Sequence, residues 1–335
     1  MTHSADAVVA RLQSIEDEGG DGELRLGTKR LQLSSLDKVY FPESGVTKGD
    51  VMRYYAAVSP FLLPLLKDRP LVLKRYPDGI DGPSFFQQNA SAKMPRAART
   101  ATVAAVASGR ARRLIGGDMA TVLYTVQIGT IAVHPWQSRI RTHQYPDSST
   151  IDLDPGDDVP FSEVVALARK IGVELDKMGL VAAIRTSGSS GLHIVLPLPP
   201  KTAYSQSAML AEAIARRVVD ADPEGATIER TISKRPRGSI YVDAMQNAEG
   251  KSVVSAYSLR EREPATVSAP LQWRELRDSL RIESFTIATM PARLRKLGDL
   301  WGAAMRRRNS RRAIAAALGG AGLREAVAKN RGSRR

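Results

Sequence analysis

Ile151-Asp152-Leu153-Asp154-Pro155-Gly156 reads as the end of a core strand bearing two acids. Apolar and acidic residues alternate, and a Pro-Gly pair then stops the run, which is the pattern of a β-strand end. Successive side chains on a strand take opposite faces, so Asp152 and Asp154 share one face and Leu153 turns into the core. Two carboxylates about 6–7 Å apart on one face repel each other unless a positive charge lies between them. A divalent cation is one answer, because Mg²⁺ and Mn²⁺ prefer oxygen ligands. A solvated strand end with two exposed acids is the other, and the hexamer alone leaves both open.

Composition narrows the partners. A chain of 335 residues, 43% hydrophobic and 25% charged, has room for one large domain or two smaller ones. No apolar run approaches the ~18 residues of a membrane span. Met1-Thr2-His3-Ser4-Ala5-Asp6 lacks the basic and apolar regions of a signal peptide. Cysteine is absent, which excludes disulfides, zinc–cysteine sites and thiol nucleophiles and makes the cytoplasm the expected location. The net charge of +14 favours a polyanionic partner, nucleic acid above all, with no membrane role. Acids concentrate in Glu16-Asp17-Glu18 and Asp21-Gly22-Glu23. Bases cluster elsewhere: Lys93, Arg96, Arg99, Arg110, Arg112 and Arg113, then Arg306-Arg307-Arg308, Arg311-Arg312, Arg331 and Arg334-Arg335.

Around the hexamer the chain alternates strands and helices without strict βαβ order, so the fold class is α+β (mixed α/β). Residues 1–28 read as a mobile acidic segment holding a short helix. Thr47 and Asp50 form a near-capping box for a helix ending near Ser59, before Pro60. Strands are expected over 71–76, 129–136, 181–185, 192–196 and 239–243. Helices are expected over 160–178, 204–220 and 271–305. Residues 29–300 form the expected catalytic domain and 301–335 a basic, partly disordered tail.

Asp243 follows Ile240-Tyr241-Val242 as Asp152 follows Ile151, a third acid at a strand end. Three such acids suit two-metal phosphoryl transfer; singly, each also reads as a solvated acid. Thr186-Ser187-Gly188-Ser189-Ser190-Gly191 lies between two strands, with backbone N–H groups and hydroxyls able to cradle phosphate, or serves only as a hairpin turn. His134 and His193 fall in the same third of the chain as the paired acids. Lys74-Arg75 beside Phe85-Phe86 combine charge with stackable rings, as single-stranded or end-bound nucleic acid requires; one ring is expected buried and one free.

Together these residues resemble the primase-polymerases of the archaeo-eukaryotic primase superfamily, in the branch of the polymerase domain of bacterial ligase D and its stand-alone relatives. The resemblance covers roughly residues 30–285. It is carried by Leu36-Asp37-Lys38-Val39-Tyr40-Phe41-Pro42, Arg69-Pro70-Leu71-Val72-Leu73-Lys74-Arg75-Tyr76-Pro77-Asp78-Gly79, Phe85-Phe86-Gln87, His134-Pro135-Trp136, the opening hexamer, Thr186-Ser187-Gly188 with Gly191-Leu192-His193, Asp243, and Tyr257-Ser258-Leu259-Arg260.

The resemblance implies a central sheet carrying the acids, flanked by helices and a second smaller sheet region. It implies a nucleotidyltransferase that extends a primer 3′-hydroxyl with two Mn²⁺ or Mg²⁺ ions, Mn²⁺ and ribonucleotides being favoured. By position, Asp152, Asp154 and Asp243 match the metal ligands and catalytic acids. His134, Ser187, His193, Gln246, Arg260 and Lys74 match nucleotide-binding positions, and Arg75, Phe85 and Phe86 the template side. Lys38 and Lys48 match a pocket for the 5′-phosphate of the downstream strand. That pocket makes gapped or broken DNA the expected substrate in repair, gap filling ahead of end joining.

Two departures stand out. Ser190 occupies the place of a lysine that contacts triphosphate, with Lys234, Arg235 or Arg237 expected to compensate. No ligase motif is present, so the expected form is stand-alone and nucleoid-associated, with a separate ATP-dependent DNA ligase as partner. A two-metal nuclease and a non-catalytic DNA-end-binding module are the rival readings.

Overall fold

The computed structural model describes residues 4–92, 94–105 and 109–319. The chain divides into two compact units that share it out in alternating pieces. The first takes Met1–Arg141, Ser252–Ala269 and Glu283–Asp299; the second takes Thr142–Lys251, Pro270–Ile282 and Leu300–Arg335. The span expected as the catalytic domain, 29–300, runs through pieces of both units.

In the first unit, α1 (Ala5–Asp17) is capped by Ser4. It buries Val8, Leu12 and Ile15, a one-sided stripe at helical spacing. The segment expected to be mobile and acidic contains this helix, packed against α2 (Lys48–Leu66), with Glu16 turned inward to Arg53 and Thr47. Hairpins β1 (Gly22–Leu26) with β2 (Lys29–Leu33), and β3 (Val39–Phe41) with β4 (Val46–Thr47), come between the two helices. Thr47 and Asp50 make the expected capping box of α2. The helix does not stop at Ser59 but runs through Pro60 and Pro64. Each proline removes a ladder bond at up to ~3 kcal/mol. Burial of Leu62 between them and Leu66 after them, about 1.5–3 kcal/mol apiece, offsets much of that.

A three-stranded antiparallel sheet follows, in the order β6 (Phe85–Gln87), β5 (Leu71–Arg75), β9 (Thr130–Pro135). The hairpin β7 (Thr100–Ala105) with β8 (Gly109–Leu114) and helix α3 (Met119–Gln127) lie between β6 and β9 in sequence. Val72, Val103, Ile115 and Trp136 form one buried cluster here. Arg113, from the basic run, is 1% exposed and stacks on Trp136 at 5.0 Å. Lys93, from the same run, lies outside the described residues.

The second unit is built on a six-stranded sheet. Its strands are β10 (Ser148–Pro155), β11 (Ala183–Thr186), β12 (Leu192–Pro197), β13 (Ala226–Thr227), β14 (Ile240–Asp243) and β15 (Pro270–Leu271). Their order is β13-β14-β10-β12-β11-β15, antiparallel except for the β13–β14 pair. Helices α4 (Phe161–Lys177) and α5 (Tyr204–Ala221) pack on β10 through buried Val164, Leu167, Ile171, Leu210, Ile214 and Val218. Both lie where the sequence places them.

The expected continuous helix over 271–305 is instead a pair of 3-10 turns, Trp273–Glu275 and Ile282–Ser284, and two short helices, Met290–Leu297 and Leu300–Arg306. The chain changes unit after Ile282 and again after Asp299, and Gly298 turns with φ +68°, so no single helix spans the region. The expected tail starts with order too: Trp301 is buried and Arg311–Ala317 is helical. Arg331, Arg334 and Arg335 lie outside the described residues.

Candidate metal and nucleotide site

β10 is the middle of a row of polar side chains. Asp152 pairs in register with Asp243 of β14 on one side and with His193 of β12 on the other. His193 in turn pairs with Arg185 of β11. Residues in register on neighbouring strands share a face, so Asp243, Asp152, His193 and Arg185 form one line across the sheet. Asp154, two residues on, lies on the same face. Leu153, between the acids, is 0% exposed, as the alternation requires.

His193 Nε2 is 3.3 Å from Asp152 Oδ1. Asp243 accepts from Met245 N–H at 2.7 Å, from the Gln246 amide at 2.8 Å and from the Tyr241 hydroxyl at 3.3 Å. Asp154 Oδ2 lies 3.5 Å from Arg235 Nη1, and that guanidinium stacks on the Tyr241 ring at 4.0 Å. Burial pushes the Asp154 carboxyl up, and the Asp152 and Asp243 charges push the same way against Arg235. At the far end of the row Arg185 is buried and stacks on Trp301 at 5.0 Å.

The acids fit a hard divalent cation by donor chemistry: oxygen ligands on one face, like charges crowded together, and a cation already drawn to one of them. Among the described residues no three acid or histidine side chains converge as a preformed cage. The contacts explain this, since Asp154 is turned to Arg235 and Asp243 is held by its own turn.

Asn247 supports that turn. Its side chain pairs with both backbone groups of Thr150, accepting from N–H and donating to O at 2.7 Å each. It thereby continues the ladder beside β10 where β14 has ended. The residue sits one place after Gln246, and only tertiary pairing reveals its role.

The Ser-Gly loop is tightly tied. The Ser187 hydroxyl accepts from Ser189 N–H at 3.1 Å and Gly191 N–H at 3.0 Å. Gly188 takes φ +74°. A Cβ on Gly191 would stand 1.8 Å from the Leu153 carbonyl oxygen, so only glycine lets β12 start this close to β10. Ser190, in place of the expected lysine, is exposed. Of its three proposed substitutes, Arg235 alone touches one of the three acids, Asp154, while Arg237 reaches Asp158 at 3.2 Å.

The remaining candidates belong to the first unit. Lys74 and Phe86 are register partners, as are Arg75 with Phe85 and Val72 with His134. Phe85 and Phe86 are 47% and 67% exposed, so both rings are free, not one. β6 is a three-residue edge strand, and its rings rest on Arg75 at 5.0 Å and Lys74 at 6.0 Å rather than on a core. The Arg75 guanidinium also donates to Ile128 O at 2.6 Å and Gln87 at 3.1 Å.

Glu261, absent from the sequence reading although it directly follows Arg260, ties this group together. It meets Lys74 at 3.2 Å, the Tyr76 hydroxyl at 3.2 Å and Arg260 at 3.5 Å. Burial raises the Glu261 carboxyl, but Arg260, its own backbone amide, His134 and Lys74 outweigh it and hold it at about 2. Burial and Arg260 push His134 down to about 4, so its imidazole is neutral at physiological pH. The segment is placed by Tyr55, whose hydroxyl accepts from Leu259 N–H at 3.1 Å and donates to Ile131 O.

Lys38 and Lys48 are neighbours, the Lys48 N–H donating to Lys38 O at 2.8 Å. Lys38 is ion-paired with Asp78 at 2.7 Å. Lys48 is only 4% exposed and donates to Ser34 O at 2.6 Å. Burial, with Lys38 beside it, lowers Lys48 to about 8.

Comparison with known proteins places this geometry. The family described as LigD, primase-polymerase domain, matches residues 47–301. The chain is 35% identical over 271 residues to the bifunctional non-homologous end joining protein LigD of Bacillus subtilis, covering 80% of this chain and 43% of that protein. It is 34% identical over 281 residues to the multifunctional non-homologous end joining DNA repair protein LigD of Mycobacterium tuberculosis, covering 81% and 36%. The chain thus spans less than half the length of these relatives. Among solved structures, the polymerase domain from Mycobacterium tuberculosis ligase D in complex with DNA superposes with a TM-score of 0.76 at 32% identity, over 84% of this chain and 99% of that one. Fold and match together define the class, a nucleotidyltransferase domain of primase-polymerase type. The chain belongs to the LigD primase-polymerase domain family.

Proposed function

We propose that the protein adds nucleotides to a primer 3′-hydroxyl on gapped or broken DNA during repair, filling short gaps in preference to joining ends and preferring ribonucleotides. One observation carries the reading: Asp152 stands in register between Asp243 and His193, with Asp154 beside it on the same face. Asp152, Asp154 and Asp243 would hold two divalent ions, Mn²⁺ or Mg²⁺. When bound, these supply charge neutralisation at the attacking and leaving oxygens. His193 orients Asp152, and Gln246 with Met245 N–H orients Asp243.

Lys74 and Arg260 supply fixed positive charge for a triphosphate, both held in place by Glu261. Neutral His134 offers a hydrogen bond rather than a charge. Phe85 and Phe86 present open faces on which bases stack at ~1–3 kcal/mol each. Lys38 and Lys48 receive a 5′-phosphate, a pocket whose charge declines above pH 8 as Lys48 deprotonates. The product nick passes to a separate ATP-dependent DNA ligase, with the work done at the nucleoid.

The test is extension of nicked, gapped and open-ended templates with ribo- and deoxyribonucleotides side by side, each with Mn²⁺ or Mg²⁺. Gapped, 5′-phosphorylated templates with ribonucleotides should extend best, and Asp152→Ala should abolish extension while DNA binding persists. Strand cleavage without added nucleotide would replace the reading with a nuclease, and extension by Asp152→Ala under Mn²⁺ would remove the metal assignment.

A further inference from the structure

Five arginines in seven residues, Arg306, Arg307, Arg308, Arg311 and Arg312, lie in the second unit beyond the end of the family match, which closes at residue 301. All five are exposed. Among the described residues none of them meets an acid: Arg311 donates to the Pro200 carbonyl at 2.6 Å, and the other four guanidiniums have no partner. Lys201, directly after Pro200, is exposed as well.

Such a run is ordinarily a solvated, moving tail, and here it is fastened down. Asn309, in the middle of the five, is 4% exposed. Its side chain accepts from Val181 N–H at 2.8 Å and donates to Val181 O at 2.8 Å and Pro197 O at 3.0 Å. Its own N–H donates to Pro197 O at 3.1 Å. Trp301 before it and Ile314 after it are buried. One asparagine therefore clamps the arginine turn to Val181, two residues before β11, and to Pro197, the end of β12, in the sheet that carries the acids. A fixed array loses less conformational entropy on binding than a loose one, so its charge is used more fully.

The clamp also fixes the distance. Pro197 pairs with Ser148, and His193 pairs with Asp152 four residues further along β10. At the strand rise the docked turn lies about 13 Å along the sheet from the Asp152 row. That is about four base steps of duplex at ~3.4 Å each.

We propose that the clamped turn of Arg306, Arg307, Arg308 and Arg312, with Lys201, is a second phosphate-backbone contact that grips a DNA arm a few base pairs from the acid row. The partner is nucleic acid rather than an anionic lipid surface, because the turn is fastened to the same sheet that carries the three acids. The contact is independent of base sequence, since it reads charge alone. It rests on the polymerase reading only for its purpose, and its test does not need polymerisation.

Binding of a labelled gapped duplex by the full chain is measured by anisotropy from 50 to 300 mM salt, without nucleotide. Each neutralised phosphate adds close to 0.9 to the log–log slope on duplex DNA. R306Q/R307Q/R308Q/R312Q should lose about two to four units of slope and bind tenfold or more weakly near 0.1 M salt. The matching lysine variant, R306K/R307K/R308K/R312K, should keep the slope. Asn309→Ala keeps every charge but frees the turn, and should bind between the two; if it fails to fold, the glutamine and lysine pair still decides. An unchanged slope in the glutamine variant overturns the proposal. So does a loss seen only on phosphatidylserine-containing vesicles and not on DNA. Primer extension by the wild type is scored separately, so failure of the polymerase reading and failure of the arginine contact give different results.

Discussion

Asp154 and Glu261 show two opposite fates of a carboxylate. Asp154 sits with two other acids and one arginine, and its proton is held more tightly than in the unfolded chain. Its charge therefore weighs against folding at neutral pH and ceases to do so at low pH. Asp154→Asn should raise the melting temperature in the absence of metal. The wild type should gain several degrees on titration with Mn²⁺, by preferential binding to the native state, and the variant should lose that gain. Differential scanning fluorimetry with and without chelator checks both. Glu261 is the reverse case. Its native carboxyl lies near 2, below its ordinary value of 4.5, so it contributes stability above about pH 4.5 that disappears as pH falls toward 2. The contribution is on the order of 3 kcal/mol at neutral pH. Glu261→Gln should lower the urea midpoint at pH 7, and the gap from wild type should close between pH 4.5 and 2. At this scale the sequence displays Asp152, Asp154 and Asp243 because alternation is local. It does not display Glu261 as the tie between Lys74 and Arg260, since that depends on a contact 187 residues apart.

Among the elements, the start of β12 is the most constrained. Gly191 and Gly188 look alike in a Ser-Gly loop, yet the structure separates them. Gly191 faces the Leu153 carbonyl at 1.8 Å from a hypothetical Cβ, whereas Gly188 takes φ +74°. Gly191→Ala must push β12 off β10 and should cost more than about 3 kcal/mol. Gly188→Ala should cost nearer 1 kcal/mol. Paired urea denaturation curves distinguish them, and Gly191→Ala should also lose the Mn²⁺-dependent melting shift by misplacing His193 against Asp152. Element boundaries were legible wherever burial and capping agree, as in α4, α5 and β10. They extend past local signals where burial is strong: α2 continues through two prolines, and α1 runs beyond its expected short helix by burying one apolar stripe.

For the whole molecule, the chain is shared between two units in alternating pieces, and the end of the family match is not the end of the second unit. Trp301, Asn309, Ile314 and Ala317 are buried there. A chain ended at residue 300 should therefore melt at least several degrees lower than the full chain, about 2–4 °C per kcal/mol lost at this size. An equal melting temperature would show that 301–319 adds nothing to the fold.

The acids, their common strand face, the basic character of the molecule and the family it resembles are all legible in the chain, because each is a matter of residue type at short spacing. The tertiary structure alone decided which side chains meet across strands: His193 and Asp243 on either side of Asp152, Arg235 on Asp154, Glu261 between two cations, Asn309 beneath the arginines. Such pairings rest on strand register and burial between residues tens to hundreds of positions apart. No local pattern carries that information, and only the packed chain fixes it.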